Sequence, residues 1–396
     1  MGLILFDNNW ENLKPLTLTR PVAELRIGIL TIREKWERML NMEASYYTAP
    51  YLSAKYPTNF EPFNILVNGS ILPTQELCDY ILQTLPANTL LVKGDTPIVL
   101  KTTQSTAEAF LTGEKKVAAV LEFESDCVEI EYSWDLFMKN GAALKADYAL
   151  LTEGRTSQAL SATNNLIGAA DQVFLEEGAW VECATLNTEN GPIYIGKNAT
   201  VMEGSMIRGG FALCASSSTK MGTKVYGPTT IGPHSKIGGE VNNSIILGYT
   251  NKGHDGFLGN SVLGEWCNLG ADTNNSNLKN NYGEVRVWNY SCNSFFDTGL
   301  QFCGLIMGDH SKTGINTMLN TGTVVGVSSN LFGGDFPRKY VPSFSWGSNK
   351  GFETYQFDKA METAARVMER RNKPLDAIEQ AILEQVFEET KENRKY

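Results

Sequence analysis

Asp95 stands in Leu90-Leu91-Val92-Lys93-Gly94-Asp95-Thr96-Pro97, a carboxylate placed just after an apolar run. Gly94 lets the backbone turn and Pro97 fixes the exit, so the side chain is presented on a short loop. One carboxylate can hold a divalent cation when substrate phosphates supply further oxygens, as Mg2+ prefers. The alternative is a plain turn in which Asp95 accepts from backbone N–H groups. A second grouping is basic. Lys14, Arg20, Arg26, Arg33 and Lys35 fall within twenty-two residues of an otherwise acidic chain. Arg20 and Arg26 carry planar guanidinium groups suited to paired hydrogen bonds with phosphate oxygens, and Lys35 can add charge. The alternative is surface charge with helix ion pairs such as Arg33 to Glu37.

Those residues need elements to hold them. Gly2–Phe6 is a short apolar run, and Phe63–Val67, Leu90–Lys93 and Val117–Leu121 read as strands. Thr31-Ile32-Arg33-Glu34 is a capping box opening a helix that runs to about Asn41. Thr74–Leu85 and Ala107–Leu111 also read as helices. This alternation predicts an open α/β sheet, whose ligands bind at the carboxyl ends of strands. Ser133 is expected to cap a further helix carrying Trp134, Leu136, Phe137 and Leu144, which leads out of the first domain near Gly154.

From Ile195 onward the spacing changes. Ile195, Val201, Ile207, Leu213, Thr219, Val225, Ile231, Ile237 and Asn243 recur every six residues. Leu263 and Leu269 keep that interval, and Met307, Thr313, Leu319, Val325 and Leu331 resume it. A coil with three flat faces has this period, with one inward aliphatic per face and a tight corner after it, so the stretch predicts a parallel β-helix. An Asn- and aromatic-rich insertion runs from about Thr273 to Phe302. Phe357 to Arg394 reads as helical, broken by Lys373-Pro374. The expected domains are 1–154 (α/β), 155–190 (connector), 191–345 (coil) and 346–396 (helices).

Val92-Lys93-Gly94-Asp95-Thr96-Pro97-Ile98 resembles the Gly-Asp-x-Pro-hydrophobic turn of sugar-1-phosphate nucleotidyltransferases. Followed by hexapeptide coils, it resembles the bifunctional GlmU-like family, which joins a nucleotidyltransferase domain to an acetyltransferase β-helix. The resemblance implies a nucleotidyltransferase-like, Rossmann-like first domain, a left-handed trimeric β-helix, and Mg2+ bound by Asp95 on the nucleotide phosphates. Asn8-Asn9-Trp10-Glu11-Asn12 stands where the family's Gly-rich phosphate loop begins. Without that loop, the Arg20/Arg26 segment would have to supply the charge. Asn164 or Asn165 could stand for a late metal-supporting Asn of the family.

Lys252-Gly253-His254-Asp255-Gly256-Phe257-Leu258-Gly259, continuing through Leu263-Gly264 and Leu269-Gly270-Ala271, is similar to the family's acetyltransferase half. There His254 takes the position of the general base, a role suited to a side chain that titrates near neutral pH. His234 and His310 fall at corners and read as structural. Asn277 matches an Asn that contacts the amino sugar, and Lys236 stands near an Arg that holds the sugar phosphate. Gly308 to Gly326 resembles the late coils that receive acetyl-CoA, with Lys312 meeting a cofactor phosphate and Gly314 letting the pantetheine arm pass. Phe257 and Leu278 replace two family tyrosines, which removes two hydroxyls from the acceptor pocket.

Composition narrows the alternatives. The chain has 396 residues, 42% of them hydrophobic, and a net charge of −10. That acidity argues against nonspecific nucleic-acid binding, which needs a basic footprint. Seven cysteines without CxxC spacing fit reduced thiols in the cytoplasm. The N-terminus lacks the pattern of a secretion signal, and no apolar run reaches membrane-spanning length. The expected protein is a soluble homotrimer using a nucleoside triphosphate, a sugar-1-phosphate, Mg2+ and acetyl-CoA. It would make a sugar nucleotide and acylate a phosphosugar. The competing readings are nucleotidyl transfer alone with a scaffolding coil, and a non-catalytic sugar-nucleotide sensor or trimeric scaffold.

Overall fold

The computed structural model describes residues 1–114, 117 and 119–396. Two compact units result. The first comprises Met1–Leu13, Thr19–Leu25 and Leu30–Tyr132; the second comprises Lys14–Leu18, Arg26–Ile29 and Ser133–Tyr396.

In the first unit the strands are β1 (Gly2–Phe6), β2 (Ala44–Tyr47), β3 (Phe63–Asn68), β4 (Ile71–Leu72), β5 (Thr89–Lys93), β6 (Thr96–Thr103), β7 (Ala119–Glu122) and β8 (Val128–Glu129). Six of them form one sheet in the order β2-β1-β3-β6-β5-β7, while β4 and β8 pair separately. Strands β1, β2 and β3 run parallel, β5 pairs parallel with β7, and β6 is antiparallel to β3 and β5. Leu3, Ile4, Leu5, Ile65, Leu66 and Val67 are at most 1% exposed, which is why these strands read as unbroken apolar runs rather than alternating ones. Helix α1 (Ile32–Leu40) opens on the expected capping box and closes at Asn41 in the left-handed region. It buries Trp36, whose Nε1 donates to Ile71 O at 2.9 Å. Helix α2 (Gln75–Asp79), capped by Thr74, runs on into a π turn over Tyr80–Thr84, and α3 (Gln104–Leu111) follows β6.

Strand β6 was not expected, because Thr96-Pro97 reads as the end of a turn. Gly94-Asp95 is instead the tip of a hairpin, and the register shifts between Leu91 and Val92 where Pro97 enters the ladder. A bulge is where a sheet tolerates a residue with no N–H. The strand expected at Val117–Leu121 is β7, which begins two residues later and ends one residue later. Ala118 lies outside the described residues.

In the second unit helix α4 spans Asp135–Thr152. Ser133 does not cap it. Trp134 holds the cap position, already helical at φ −78 and ψ −18, with no side-chain cap bond. Its ring is buried and stacks on Phe296 at 6.2 Å, so packing sets this helix start in place of a hydroxyl. Asn140 and Asp147 of α4 accept from Gly28 N and Ile29 N, each at 2.7 Å, which ties Arg26–Ile29 into this unit.

The coil is a parallel β-solenoid of about 10 turns. Ile195, Val201, Ile207, Leu213, Val225, Ile231 and Ile237 all point inward, at most 2% exposed, as do Leu263, Met307, Leu319, Val325 and Leu331. Asn243 does not follow them: it sits at a corner with φ 45. The inward position passes to Val241, because Gly238-Gly239 makes a shorter corner than its predecessors. Rungs also begin earlier than 191. Asn165–Ile167 pairs with Thr185–Asn187, and Val173–Leu175 with Ile193–Ile195. The insertion after the Asn274–Asn275 strand holds an antiparallel hairpin, Arg286–Asn289 against Ser294–Asp297. Helices α5 (Phe357–Glu369) and α6 (Ala377–Glu389) close the chain.

Candidate functional site

In the first unit, the carboxyl ends of β1, β3 and β5 gather polar side chains. Asn8 and Asn9 follow β1, Asn68 ends β3, and Lys93 ends β5. Glu129 of β8 joins them: its Oε1 accepts from Asn9 Nδ2 at 2.6 Å and from Asn8 Nδ2 at 3.3 Å, and its Oε2 accepts from Thr96 Oγ1 at 3.2 Å. Asn68 is fully buried; its Nδ2 donates to Pro97 O at 2.8 Å and its Oδ1 accepts from Ser70 Oγ at 2.7 Å. Asp7, directly after β1, accepts from Val22 N at 2.8 Å and from Thr48 Oγ1 at 2.5 Å. Burial pushes its carboxyl up to about 7, against those two hydrogen bonds. Asp7, Asn68 and Glu129 were missed from sequence; the available signal for Asp7 and Asn68 was a polar residue at the end of an apolar strand, and Glu129 had no such signal.

Asp95 is exposed at the hairpin tip, next to Thr96, which reaches Glu129. The neighbouring Gly94 N donates to Glu122 Oε1 at 2.9 Å, and Lys93 Nζ donates to Phe123 O at 2.9 Å. Among the described residues no group of three or more His, Cys, Asp or Glu side chains could cage a metal ion. One exposed carboxylate fits Mg2+ that takes its other oxygens from phosphates and water, not a protein-only site. Arg20 and Lys35 are buried in this unit, 5% and 4% exposed. Arg26 is buried too, but belongs to the second unit, where its Nη1 donates to Ile29 O. The two arginines expected to act as a pair therefore fall in different compact units. Arg33 makes the expected ion pair with Glu37 and a second with Glu24.

In the coil, His254 occupies the corner between strand Asn251–Lys252 and strand Phe257–Gly259, and it is exposed. Two features shape this corner. Gly238 lies beneath it, where a Cβ would come within 2.8 Å of Gly253 O and 3.2 Å of His254 N. Lys252 points into the coil, 2% exposed, and its amine donates to Gly238 O at 2.9 Å and His254 O at 2.7 Å. Burial pulls the Lys252 amine down to about 8, with Asp255 and Asp272 opposing. Phe257 and Asn277 both crowd the space over Gly259, and Asn277 Nδ2 donates to Asn260 Oδ1 at 2.7 Å. Lys236 and Lys312 share one outward column, in the register Lys236–Asn251–Asn268–Lys312. Lys312 Nζ donates to His310 O at 2.7 Å, and burial pulls its amine down to about 8. Gly314 N donates to Leu331 O at 2.7 Å, and a Cβ there would meet Phe332 at 3.3 Å. Asn164 packs within the first rung, donating to Val181 O at 2.7 Å, and Asn165 begins a coil strand.

Residues 3–156 match the family model described as sugar nucleotidyl transferase. The N-terminal region is thus similar to sugar nucleotidyl transferase domains over that stretch. Two curated relatives extend this likeness. The bifunctional protein GlmU of Methanocaldococcus jannaschii is 37% identical over 87 residues, covering 22% of this chain and 21% of that protein. A bifunctional sugar-1-phosphate nucleotidylyltransferase/acetyltransferase of Sulfurisphaera tokodaii is 32% identical over 102 residues, 25% of each chain. The chain thus spans only about a fifth to a quarter of the length of the curated relatives that it matches. Both relatives support the GlmU-like resemblance. A solved UDP-N-acetylglucosamine acyltransferase from Campylobacter jejuni overlaps 60% of this chain and 92% of its own, at 13% identity and a TM-score of 0.25. At that score it adds nothing to the solenoid described above. Among the described residues no helix is long and apolar enough to cross a membrane.

Proposed function

We propose that the chain is a bifunctional sugar-nucleotide enzyme. The first unit joins a sugar-1-phosphate to a nucleoside monophosphate taken from a triphosphate. An oxygen of the sugar phosphate attacks the α-phosphorus, the bond to the β-phosphate oxygen breaks, and pyrophosphate leaves. Such a transfer depends mainly on positioning and on neutralising phosphate charge. Asp95 is the residue that would hold Mg2+, which supplies charge neutralisation at the phosphates when bound. Arg20 and Lys35 would serve the phosphates from the same unit, whereas Arg26 lies in the second unit and is given no part in this site. The observation that carries this half is the match of residues 3–156 to the sugar nucleotidyl transferase model, over a sheet whose strand ends gather polar groups.

In the coil, His254 would take the proton from an amino-sugar nitrogen as that nitrogen attacks the acetyl-CoA carbonyl. The carbon–sulfur bond breaks and CoA leaves as the thiol. Asn277 and Lys236 would hold the acceptor sugar and its phosphate, and Lys312 and Gly314 the cofactor. A homotrimer in the cytoplasm completes the reading, in keeping with the absence of disulfides among the described residues. One observation favours nucleotidyl transfer alone. Phe257, beside the His254 corner, has no hydroxyl to offer an acceptor, and the Asn277 amide is engaged by Asn260.

Two assays decide between them. Pyrophosphate release is measured over a panel of sugar-1-phosphates and triphosphates, with Asp95→Ala as control. CoA release is measured with acetyl-CoA and amino-sugar phosphates, with His254→Ala as control. Release of pyrophosphate without release of CoA leaves the coil as scaffold; absence of both ends the enzyme reading.

A further inference from the structure

The turn that ends α5 brings basic residues onto the coil. Arg371 Nη2 donates to Asn251 Oδ1 at 3.1 Å, and Asn251 pairs in register with Lys236 on the preceding rung. Lys373 Nζ lies 5.1 Å from the centre of the Tyr249 ring. Tyr249 stacks in turn on His234 at 4.9 Å and on Trp266 at 4.3 Å. Lys220 and Arg370 are close enough to Lys236 to disfavour its charge. Five cations, Lys220, Lys236, Arg370, Arg371 and Lys373, thus meet in a protein of net charge −10. Among the described residues no ion pair joins any of the five to a carboxylate.

Such a gathering is costly when left alone. Burial, then Arg371, Lys220 and Arg370, hold the Lys236 amine below its usual range; burial and Arg370 do the same to Arg371. The His234 imidazole is lowered by burial, then by Arg371 and Lys373, which disfavours its charged form. Like charges gathered with no counter-charge raise the local concentration of anions. The size of anion that fits follows from the coil. Lys220 directly follows the strand two rungs before Asn251, and rungs lie about 4.8 Å apart, so the cations spread over about 10 Å. One phosphate is too short to meet them all and carries too little charge to offset five cations.

We propose that the coil carries a polyphosphate-binding site at the junction of α5 with the face bearing Lys236 and Asn251. The ligand is an anion with two adjacent phosphates, held by Lys236 and Arg371 and flanked by Lys220, Arg370 and Lys373. Arginine supplies the forked donors that phosphate oxygens accept. The edge of the His234–Tyr249–Trp266 stack borders the same site. The site stands whether or not His254 is an acetyl-transfer base, and it goes beyond the single sugar phosphate given to Lys236 above.

The test is calorimetric titration of the full chain with inorganic pyrophosphate at low salt. The Lys236→Gln/Arg371→Gln and Asp95→Ala variants are titrated in parallel. The expected result is a binding event lost at least tenfold in affinity in the double variant and kept in Asp95→Ala. Its affinity should fall steeply with salt, and orthophosphate should bind at least tenfold more weakly. CoA and a nucleoside-diphosphate sugar are then added as competitors; whichever displaces pyrophosphate identifies the source of the phosphates. A melting temperature of the double variant equal to or above wild type, from relieved repulsion, shows that it folds. Equal binding of pyrophosphate by wild type and the double variant, or no binding to either, overturns the proposal.

Discussion

The amine of Lys252 lies 2.7 Å from the carbonyl oxygen of His254, two residues along the chain and at the surface end of the same corner. A lysine in the interior of a coil lined mostly by aliphatics is costly to ionise, and its two carbonyl partners, with Asp255 and Asp272, offset only part of that cost. We expect Lys252→Met to fold with unchanged or raised thermal stability and yet to lose at least tenfold in CoA release. The Lys252 amine titrates near 8 in the folded chain and at about 10.5 when unfolded, so the unfolded state binds more protons between those values. Wild-type stability should therefore rise with pH from about 8 to 10.5, and that rise should be missing in Lys252→Met. Thermal melts across that range check it. Equal slopes in both proteins would contradict the assignment.

Asp7 gives the opposite slope. Its folded carboxyl titrates near 7 and its unfolded one near 3.8, so the native state holds the extra proton in between. Stability should be full below about 4 and decline as pH rises to about 7. Asp7→Asn should flatten that stretch and raise the melting temperature at pH 8.

Glu129 joins the loop after β1 to the start of β6 through Asn8, Asn9 and Thr96. Glu129→Ala removes the acceptor for all three donors, a loss of about 1–3 kcal/mol by the cost of unmade hydrogen bonds. Glu129→Gln keeps acceptor capacity and should recover much of it. If the cluster serves nucleotidyl transfer, pyrophosphate release should fall more in Glu129→Ala than the loss of folded protein explains. Denaturant melts beside the pyrophosphate assay separate the two effects.

Gly239 has φ +70, and a Cβ there would stand 2.7 Å from Gly256 O and 2.9 Å from Asp255 Cα. Gly239→Ala should cost about 1–2 kcal/mol from the left-handed backbone alone, and more from the clash. Because the clash is with the His254 corner, CoA release should drop further than in a coil glycine with open space, such as Gly222→Ala. Equal activity in the two variants would separate the corner from catalysis.

Sequence spacing revealed the coil from Ile195 because one rung there takes eighteen residues, three sixes: Ile195, Leu213 and Ile231 stack in register. The first rung takes twenty, from Leu175 to Ile195 and from Val181 to Val201, so its period of six is hidden. Asn243 failed for the converse reason, a corner shortened at Gly238-Gly239. In the first unit, apolar runs and the Thr31 capping box were legible because each is local. Strand β6 was not, because Pro97 signals a turn until a bulge opposite it is known. The site residues divide the same way. Asp95 and His254 were visible through neighbours in sequence, whereas Glu129 lies some 120 residues from the asparagines it binds. No local pattern records that pairing.

The corner columns restrict how such a chain can change length. Along two of the three faces, successive strands pair in register from rung to rung. Deleting one residue within a strand would turn its inward side chain outward and carry the error along the remaining face. The inserted hairpin at Arg286–Asp297 enters between the strands at Asn274–Asn275 and Leu305–Met307, and the rungs on either side still pair. Growth of this molecule is therefore stepwise: whole turns can be gained or lost, new loops can sprout at corners, and the straight segments stay fixed in size.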